Sequence, residues 1–221
     1  MDKRAVCIIS GGMDSALAAT IAKNEGYEII GVHFNYGQRT QRKELECYKK
    51  IIEDLGATKS HIIDLPFFKE IGSTALIGDD LDIPTDGIKP GVPVTYVPFR
   101  NGIFLSIAAA IAQKYDAQAL YIGVVEEDSS GYPDCRESFI NTINSAINLG
   151  LRDETELKIE TPLIHMNKEE IVANSIELDV KLEHTWSCYK NSDKACGLCD
   201  SCRLRLKGFE KMGIKDPIEY C

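Results

Sequence analysis

Apolar positions along the chain fall into two patterns that alternate. Short continuous apolar runs have the length of buried strands, and they occupy residues 5–9, 27–34, 60–65, 119–125 and the stretch "KIETPL". Stretches with helical spacing lie between them, such as 40–56, where four large apolar residues share one face and Gly56 is a typical helix end. Strands that alternate with helices predict right-handed crossovers and a mainly parallel sheet with helices on both faces.

Two further features complete the predicted elements. Asn167 with Glu170 three residues later is typical of a helix that begins with a capping box. The segment 66–98 breaks the pattern with several prolines and glycines. It is interpreted as a long excursion, either a lid over the site or a surface insertion without function.

Length and charge narrow the classes of function. The 221 residues suffice for one sizeable α/β domain with a small appendage. A net charge of -9 argues against a nucleic-acid partner bound by general electrostatics and favours small-molecule substrates. No run reaches the roughly 18 apolar residues of a membrane span, and the apolar part of the N-terminus is short for a signal peptide. A cytoplasmic protein that does not bind membranes is expected.

The first predicted strand leads into the sequence S-G-G-M-D-S, residues 10–15, and then into a helix. It matches neither a Walker A loop nor a dinucleotide fingerprint. Glycines allow close approach of the backbone, and free N–H groups at a helix start attract anions, so we expect a phosphate site. Asp14 fits best beside a bridging Mg²⁺. The alternative is an ordinary tight turn with a capping side chain.

Four of the eight cysteines cluster near the end of the chain. Cys188, Cys196, Cys199 and Cys202 form the pattern C-x7-C-x2-C-x2-C. Four thiolates favour zinc in a closed, structural site that ties down the C-terminal tail. An iron–sulfur cluster, a redox pair and unliganded cysteines are the alternatives, and His184 is an alternative fourth ligand in place of Cys188.

The loop at residues 10–15 resembles the pyrophosphatase loop of enzymes that split ATP between its α and β phosphates. Three further segments, "NYGQRT", "YVPFRNGIFLS" and "SSGYPDCRESF", stand in order between this loop and the cysteines. Together they resemble the 7-cyano-7-deazaguanine synthase family of queuosine precursor biosynthesis, from Val6 to about Leu206. The G-Y-P-D-C-R segment and the four cysteines are the more family-specific parts.

The resemblance implies an α/β fold like that of adenine-nucleotide alpha hydrolases. The change in composition from His184 onward divides the chain into a predicted nucleotide-binding domain, 1–183, and a zinc-binding, helical extension, 184–221. The family resemblance also has functional implications. It implies a ligase that adenylates 7-carboxy-7-deazaguanine and uses ammonia to give the nitrile, with Mg²⁺ accompanying ATP, structural zinc, and a homodimer.

The resemblance also assigns candidate site residues. ATP would be bound by Ser10, Gly11, Gly12, Met13, Asp14 and Ser15. The substrate would be bound by Phe99, Arg100, Asn101, Tyr132, Asp134 and Arg136. Asp14, Ser15 and Arg100 are the candidates for catalysis.

Within the substrate set, Asp134 would accept the adjacent N–H and NH₂ groups of the deazaguanine edge, with Tyr132 or Phe99 stacked on the ring. Arg100 or Arg136 would pair with the substrate carboxylate or the phosphates. The alternatives are that Asp134 caps the helix beginning near Arg136 and that Arg100 forms a structural ion pair. Cys135 is expected to pack, because adenylation makes a thioester unnecessary.

The chain departs from the usual family pattern at Asn35, Thr40 and Phe99, where Asp, His and Gly are common. Alternative functions are a ligase that stops at the amide or uses another amine, including a protein amine. An ATP-dependent tRNA-modifying enzyme and a nucleotide-binding module without catalysis are further alternatives.

Overall fold

The computed structural model describes residues 3–71, 74–78, 80–87, 91–126 and 131–221. A five-stranded parallel sheet in the order β3-β2-β1-β4-β5 forms its centre. The strands are β1 (Arg4–Ile8), β2 (Glu28–Asn35), β3 (Lys59–Asp64), β4 (Ala119–Ile122) and β5 (Lys158–Glu160). The strand order changes direction between β1 and β4, which is where open α/β sheets bind ligands.

Helices cover both faces of this sheet. They are α1 (Met13–Asn24), α2 (Gln41–Leu55), α3 (Phe68–Ile71), α4 (Arg100–Lys114), α5 (Glu137–Gly150), α6 (Lys168–Glu177) and α7 (Asp200–Lys211). Successive side chains of β1 point to opposite faces of the sheet. Ala5 and Cys7 pack in a core cluster with α1, whereas Val6 and Ile8 pack in a second cluster with α4. Among the described residues, no helix has the length and apolar character needed to span a membrane.

The predicted α/β architecture is confirmed, including the parallel sheet and the helices on its two faces. Gly56 ends α2 in the left-handed conformation, with φ of 61°. The capping box at Asn167 is also present, since its side chain accepts from the Glu170 backbone and the Glu170 carboxylate accepts from the Asn167 backbone. The strand predicted at 119–125 is shorter than expected, because residues beyond Ile122 leave the sheet towards the site.

The excursion at 66–98 is only partly described, because residues 72, 73, 79 and 88–90 lie outside the described set. Its described part contains α3 and contributes buried apolar side chains to the core, among them Leu76, Ile83 and Val97. These residues anchor the segment on the domain. Whether it acts as a lid stays a prediction.

A buried charged network fastens the C-terminal tail to the rest of the fold. Arg205, only 1% exposed, donates to both carboxylate oxygens of Asp216 at 2.7 and 2.9 Å. It also donates to the Thr185 hydroxyl at 2.7 Å, and Tyr220 donates to Asp216 at 2.7 Å. A bidentate pair with these additional partners compensates for the desolvation of both charges. The boundary between 1–183 and 184–221 stays a prediction.

We predict that Asp216→Asn lowers the free energy of unfolding by about 3 to 5 kcal/mol, because it leaves the buried Arg205 charge uncompensated. Urea denaturation would measure the change. Glu219→Gln is the matched control: it removes an exposed ion pair with Lys194 at 3.1 Å and is expected to cost about 0 to 1 kcal/mol. Equal losses for both variants would contradict this account of the tail.

Candidate active site

The loop after β1 is shaped by its own serines. The Ser15 hydroxyl donates to the Gly12 carbonyl at 2.9 Å and accepts from the Ser10 backbone at 3.2 Å. The Ser10 hydroxyl lies 3.1 Å from that of Ser15 and accepts from the Gly12 backbone at 3.2 Å. Gly12 is the N-cap of α1, no side chain caps the helix, and residues 12–15 line the cavity beside the loop. The arrangement suits an anion at the helix start.

Two glycines allow neighbouring backbones to approach this loop. Gly11 has φ of +95°, and a side chain there would place its Cβ 2.5 Å from the Glu44 carbonyl oxygen. Gly123, directly after β4, would place a Cβ within 2.6 Å of the Asp14 backbone. Neither position can accept a side chain without moving the loop.

Asp14 forms an ion pair that sequence reasoning did not predict. Its Oδ2 lies 2.6 Å from Nζ of Lys168, the first residue of α6, and Lys168 is only 7% exposed. The other oxygen, Oδ1, is buried without a hydrogen-bond partner. Both residues line a cavity of about 230 Å³ above the carboxyl ends of β1 and β4. The loop at residues 10–15 is called the phosphate-type loop below. A carboxylate oxygen with no partner beside this loop is suited to coordinate a cation.

Arg100 lies in the same cavity with aromatic neighbours. Its guanidinium carbon is 5.5, 5.8 and 5.9 Å from the ring centres of Tyr36, Phe104 and Tyr132. One nitrogen donates to the Tyr36 hydroxyl at 3.1 Å, while Nε is buried without a partner. The guanidinium therefore keeps a donor for an anion that enters the cavity.

Asp134 stabilises the start of α4. It is 3% exposed, and its Oδ2 accepts from the Asn101 backbone at 2.9 Å. The side-chain amide of Asn101 in turn donates to the backbone carbonyl of Asp134 and to the Cys135 sulfur, each at 3.3 Å. Asp134 thus caps α4, not the helix near Arg136, and burial raises the pKa of its carboxyl. Asn101 lines the cavity, while Asp134 lies behind it.

Phe99 and Arg136 do not line the cavity. Phe99 is 52% exposed, and its ring packs on Gly102 and against Phe139 at 5.6 Å. The backbone of Phe99 has φ of 54°, a left-handed conformation that glycine adopts without strain. This conformation is a physical reason why the family commonly has glycine where this chain has Phe99. Arg136 is exposed at the start of α5. Their predicted roles in substrate binding gain no support from this placement.

Glu44, on the first turn of α2, is a second carboxylate in the cavity lining. Its Oε1 accepts from the Thr40 hydroxyl at 2.7 Å and its Oε2 from the Gln38 amide at 2.9 Å. Gln38 is fixed in turn, because it accepts from the Tyr36 backbone at 2.9 Å. The segment N-Y-G-Q-R-T thus orients a carboxylate that its pattern alone did not identify.

The four predicted cysteines come together. Their sulfur atoms all lie within 4.8 Å of one another, and those of Cys196 and Cys202 are 3.9 Å apart. Zinc–sulfur bonds of about 2.3 Å place the sulfurs of a tetrahedral site about 3.8 Å apart, so the spacing fits a single ion. Backbone amides donate to Cys188 and Cys196, as expected for oriented thiolates. His184 instead pairs with Asp54 at 2.6 Å.

The cysteine-bearing extension forms part of the cavity wall. Trp186, Ser187 and Tyr189 flank Cys188 and line the cavity. The Trp186 backbone also donates to the Gly11 carbonyl at 2.8 Å. Cys188 therefore lies only two residues along the chain from a direct contact with the loop at residues 10–15, which connects the cysteine cluster mechanically to that loop.

Comparison with known proteins agrees with this geometry. Residues 4–213 match the family model described as "Queuosine biosynthesis protein QueC". The chain belongs to this family. The match contains the loop at residues 10–15, the cysteine cluster and both ion-pair partners Asp14 and Lys168.

Curated relatives extend over the whole chain. A 7-cyano-7-deazaguanine synthase from Sulfurovum sp. is 66% identical over 100% of this chain and 99% of its own length. One from Nautilia profundicola is 62% identical over 99% and 98% of the two chains. This QueC-family chain is thus an enzyme homologue throughout its length.

A solved structure supports the fold class. The U34-tRNA thiolase NcsA from Methanococcus maripaludis, solved with its [4Fe-4S] cluster, has a TM-score of 0.51 and 14% identity, and the match covers 96% of this chain and 67% of that one. At this identity the likeness concerns the fold alone. It agrees with the expected adenine-nucleotide alpha-hydrolase architecture.

The predicted site residues thus divide into two sets. The loop residues Ser10, Gly12, Met13, Asp14 and Ser15 line one cavity with Arg100, Asn101 and Tyr132. Gly11 belongs to the loop but does not line the cavity, and Phe99, Asp134 and Arg136 also lie outside the lining. The first two serines of the segment "SSGYPDCRESF" lie outside the described residues. Sequence reasoning missed Lys168, Glu44 and Trp186, which carry no motif of their own.

We predict that Cys135 is unreactive in the native protein. Burial raises the pKa of its thiol to about 12, so the nucleophilic thiolate is scarce at neutral pH. Iodoacetamide at pH 7.5 followed by mass spectrometry should label the exposed Cys221 and leave Cys135 unlabelled. Labelling of both residues at similar rates would contradict the packing role.

We also predict that removing the metal with a chelator weakens nucleotide binding at least several-fold, because the Trp186 contact would no longer hold Gly11. Trp186 is the single tryptophan, so its emission reports the change directly. Cys199→Ser should behave like the metal-free protein, and Cys221→Ser like wild type. Unchanged ATP affinity in metal-free protein that remains folded would overturn this coupling.

Proposed function

We propose that this QueC-family protein is an ATP-dependent carbon–nitrogen ligase that converts 7-carboxy-7-deazaguanine and ammonia into 7-cyano-7-deazaguanine. The observation that carries the proposal is the full-length similarity to relatives named for this product. The cavity supports it, because a phosphate-type loop and an arginine with a free donor face the same space.

The chemistry requires activation of the same carbon twice. A carboxylate oxygen attacks the α-phosphorus of ATP, pyrophosphate leaves, and ammonia then displaces AMP to give the amide. The amide oxygen then attacks the α-phosphorus of a second ATP with loss of a second pyrophosphate, and loss of AMP and two protons gives the nitrile. One site that holds the α-phosphorus next to the carbon serves both steps by positioning.

Arg100 is proposed to hold the substrate carboxylate. Its guanidinium is positioned by the Tyr36 hydroxyl and by the rings of Tyr36, Phe104 and Tyr132. Its Nε remains for an incoming anion. Neutralising the carboxylate permits it to approach a polyphosphate. Tyr132 and Phe104 offer apolar surface on which a flat base can lie.

Asp14 and Lys168 are proposed to act on the polyphosphate. Bound Mg²⁺ would neutralise phosphate charge during displacement of pyrophosphate, with Asp14 as its ligand. The Lys168 ammonium, which adjoins the helix start, would attract the phosphates. Gly11, Gly12, Met13 and the hydroxyls of Ser10 and Ser15 complete the loop around the departing pyrophosphate.

Further parts of the proposal rest on the family resemblance. Zinc is the proposed ion of the four cysteines, in agreement with their spacing. A homodimer is proposed on the same basis, whereas the cytoplasmic location and the domain boundary at 183/184 are proposed from the sequence pattern. The relatives' names do not favour an amide product, another acceptor amine or a tRNA substrate.

The function is tested by incubating the protein with ATP, Mg²⁺, ammonium and 7-carboxy-7-deazaguanine, with nucleotides and bases followed by liquid chromatography and mass spectrometry. AMP with the nitrile is expected. AMP with only the amide, or AMP only when RNA or a protein is supplied, would contradict the proposal.

Lys168→Met should lower the rate of AMP formation by at least about 100-fold, because it removes a buried charge beside the phosphates and leaves Asp14 unpaired. Lys211→Met is a matched control, since Lys211 forms an exposed pair with Glu169 at 3.4 Å. Near-normal AMP formation by Lys168→Met would remove this role.

A further inference from the structure

The Glu44 carboxylate is held in a defined orientation at the cavity wall. Each of its oxygens accepts one hydrogen bond, from Thr40 at 2.7 Å and from Gln38 at 2.9 Å. Both donors are themselves buried, with 2% and 5% of their surfaces exposed. A carboxylate has about four acceptor positions, so each oxygen keeps a position for a further donor.

The cavity that Glu44 lines also contains aromatic rings suited to a planar ligand. The rings of Phe34 and Phe104 are stacked at 4.2 Å with an interplanar angle of 14°, and both line the cavity. Tyr36 adjoins Phe104 at 5.6 Å. A flat heterocycle that contacts these rings would present its polar edge to groups at the cavity wall.

The remaining acids are poorly placed to accept from such an edge. Among the described residues, Asp14 and Glu44 are the carboxylates of the cavity lining. One oxygen of Asp14 is bound to Lys168, so only its other oxygen is open to a ligand and it cannot accept two parallel hydrogen bonds. Asp134 lies behind the lining with one oxygen bound to the Asn101 backbone.

We propose that Glu44 recognises the heterocycle through two parallel hydrogen bonds, one from a ring N–H and one from the adjacent exocyclic NH₂. The proposal rests on the proposed function and deepens it by assigning the residue that selects the base. A ring with two neighbouring donors matches both oxygens of a fixed carboxylate.

The same contact discriminates against adenine. An adenine edge places a ring nitrogen acceptor beside its amino group, and that acceptor is repelled by a carboxylate oxygen. Glu44 therefore favours the substrate base over the adenine of a second ATP at this position. Gln38 and Thr40 act as positioning residues, because they fix the plane of the carboxylate.

The test compares 7-carboxy-7-deazaguanine with its analogue that lacks the 2-amino group, 7-carboxy-7-deazahypoxanthine. Wild-type protein should prefer the amino substrate by about 10- to 100-fold in kcat/KM for AMP release, as expected for one hydrogen bond to a charged group. Glu44→Gln should lower activity with the amino substrate and reduce the preference to about 3-fold or less, while the Kd for ATP stays within about twofold.

Glu46→Gln is the matched control, because Glu46 lies two residues away on an exposed face and pairs with Arg42 at 3.4 Å. It should keep the full preference. Three results would overturn the assignment of Glu44. Wild-type protein could show no preference for the amino substrate, or the Glu44→Gln variant could retain the preference. Glu44→Gln could also weaken the use of ATP and of both bases to the same extent. Absence of AMP from wild-type protein with either base would instead overturn the proposed function.

Discussion

The close backbone contacts around Gly11 are the constraint on which the site depends. The Glu44 carbonyl approaches from α2, and the Trp186 amide donates to the Gly11 carbonyl at 2.8 Å. On the other side, Gly123 brings the end of β4 against the Asp14 backbone. Three segments distant in sequence therefore meet at the change of strand direction, and the loop is fixed before any ligand enters.

Charge in the cavity is arranged on this fixed frame. Asp14 and Lys168 neutralise each other beside the loop, Arg100 lies among aromatic rings, and Glu44 is held by two neutral donors. Asp14, Arg100 and Glu44 each keep an atom or an acceptor position for a ligand, and Lys168 lies next to the loop. Such preorganisation lowers the cost of reorganising the site when charge moves during adenylation.

The sequence predicted the fold and the convergence of the four cysteines because these depend on local patterns. Apolar runs, helix caps and the cysteine spacing act over a few residues, and the parallel sheet and cysteine cluster follow from them. Lys168 and Glu44 could not be found in this way, because only the tertiary fold brings α6 and α2 to the loop. Asp134 was predicted to bind the deazaguanine base from its chemistry alone. In the structure its carboxylate accepts a hydrogen bond from the backbone amide of Asn101.

In the proposed reaction the substrate carboxylate itself attacks the α-phosphorus at this loop. This step can be followed with 7-carboxy-7-deazaguanine carrying ¹⁸O in both carboxylate oxygens and mass spectrometry of the nucleotide products. Two AMP per nitrile, each with one ¹⁸O atom, and unlabelled pyrophosphate are expected. Unlabelled AMP, or ADP with labelled phosphate, would rule out attack by the carboxylate.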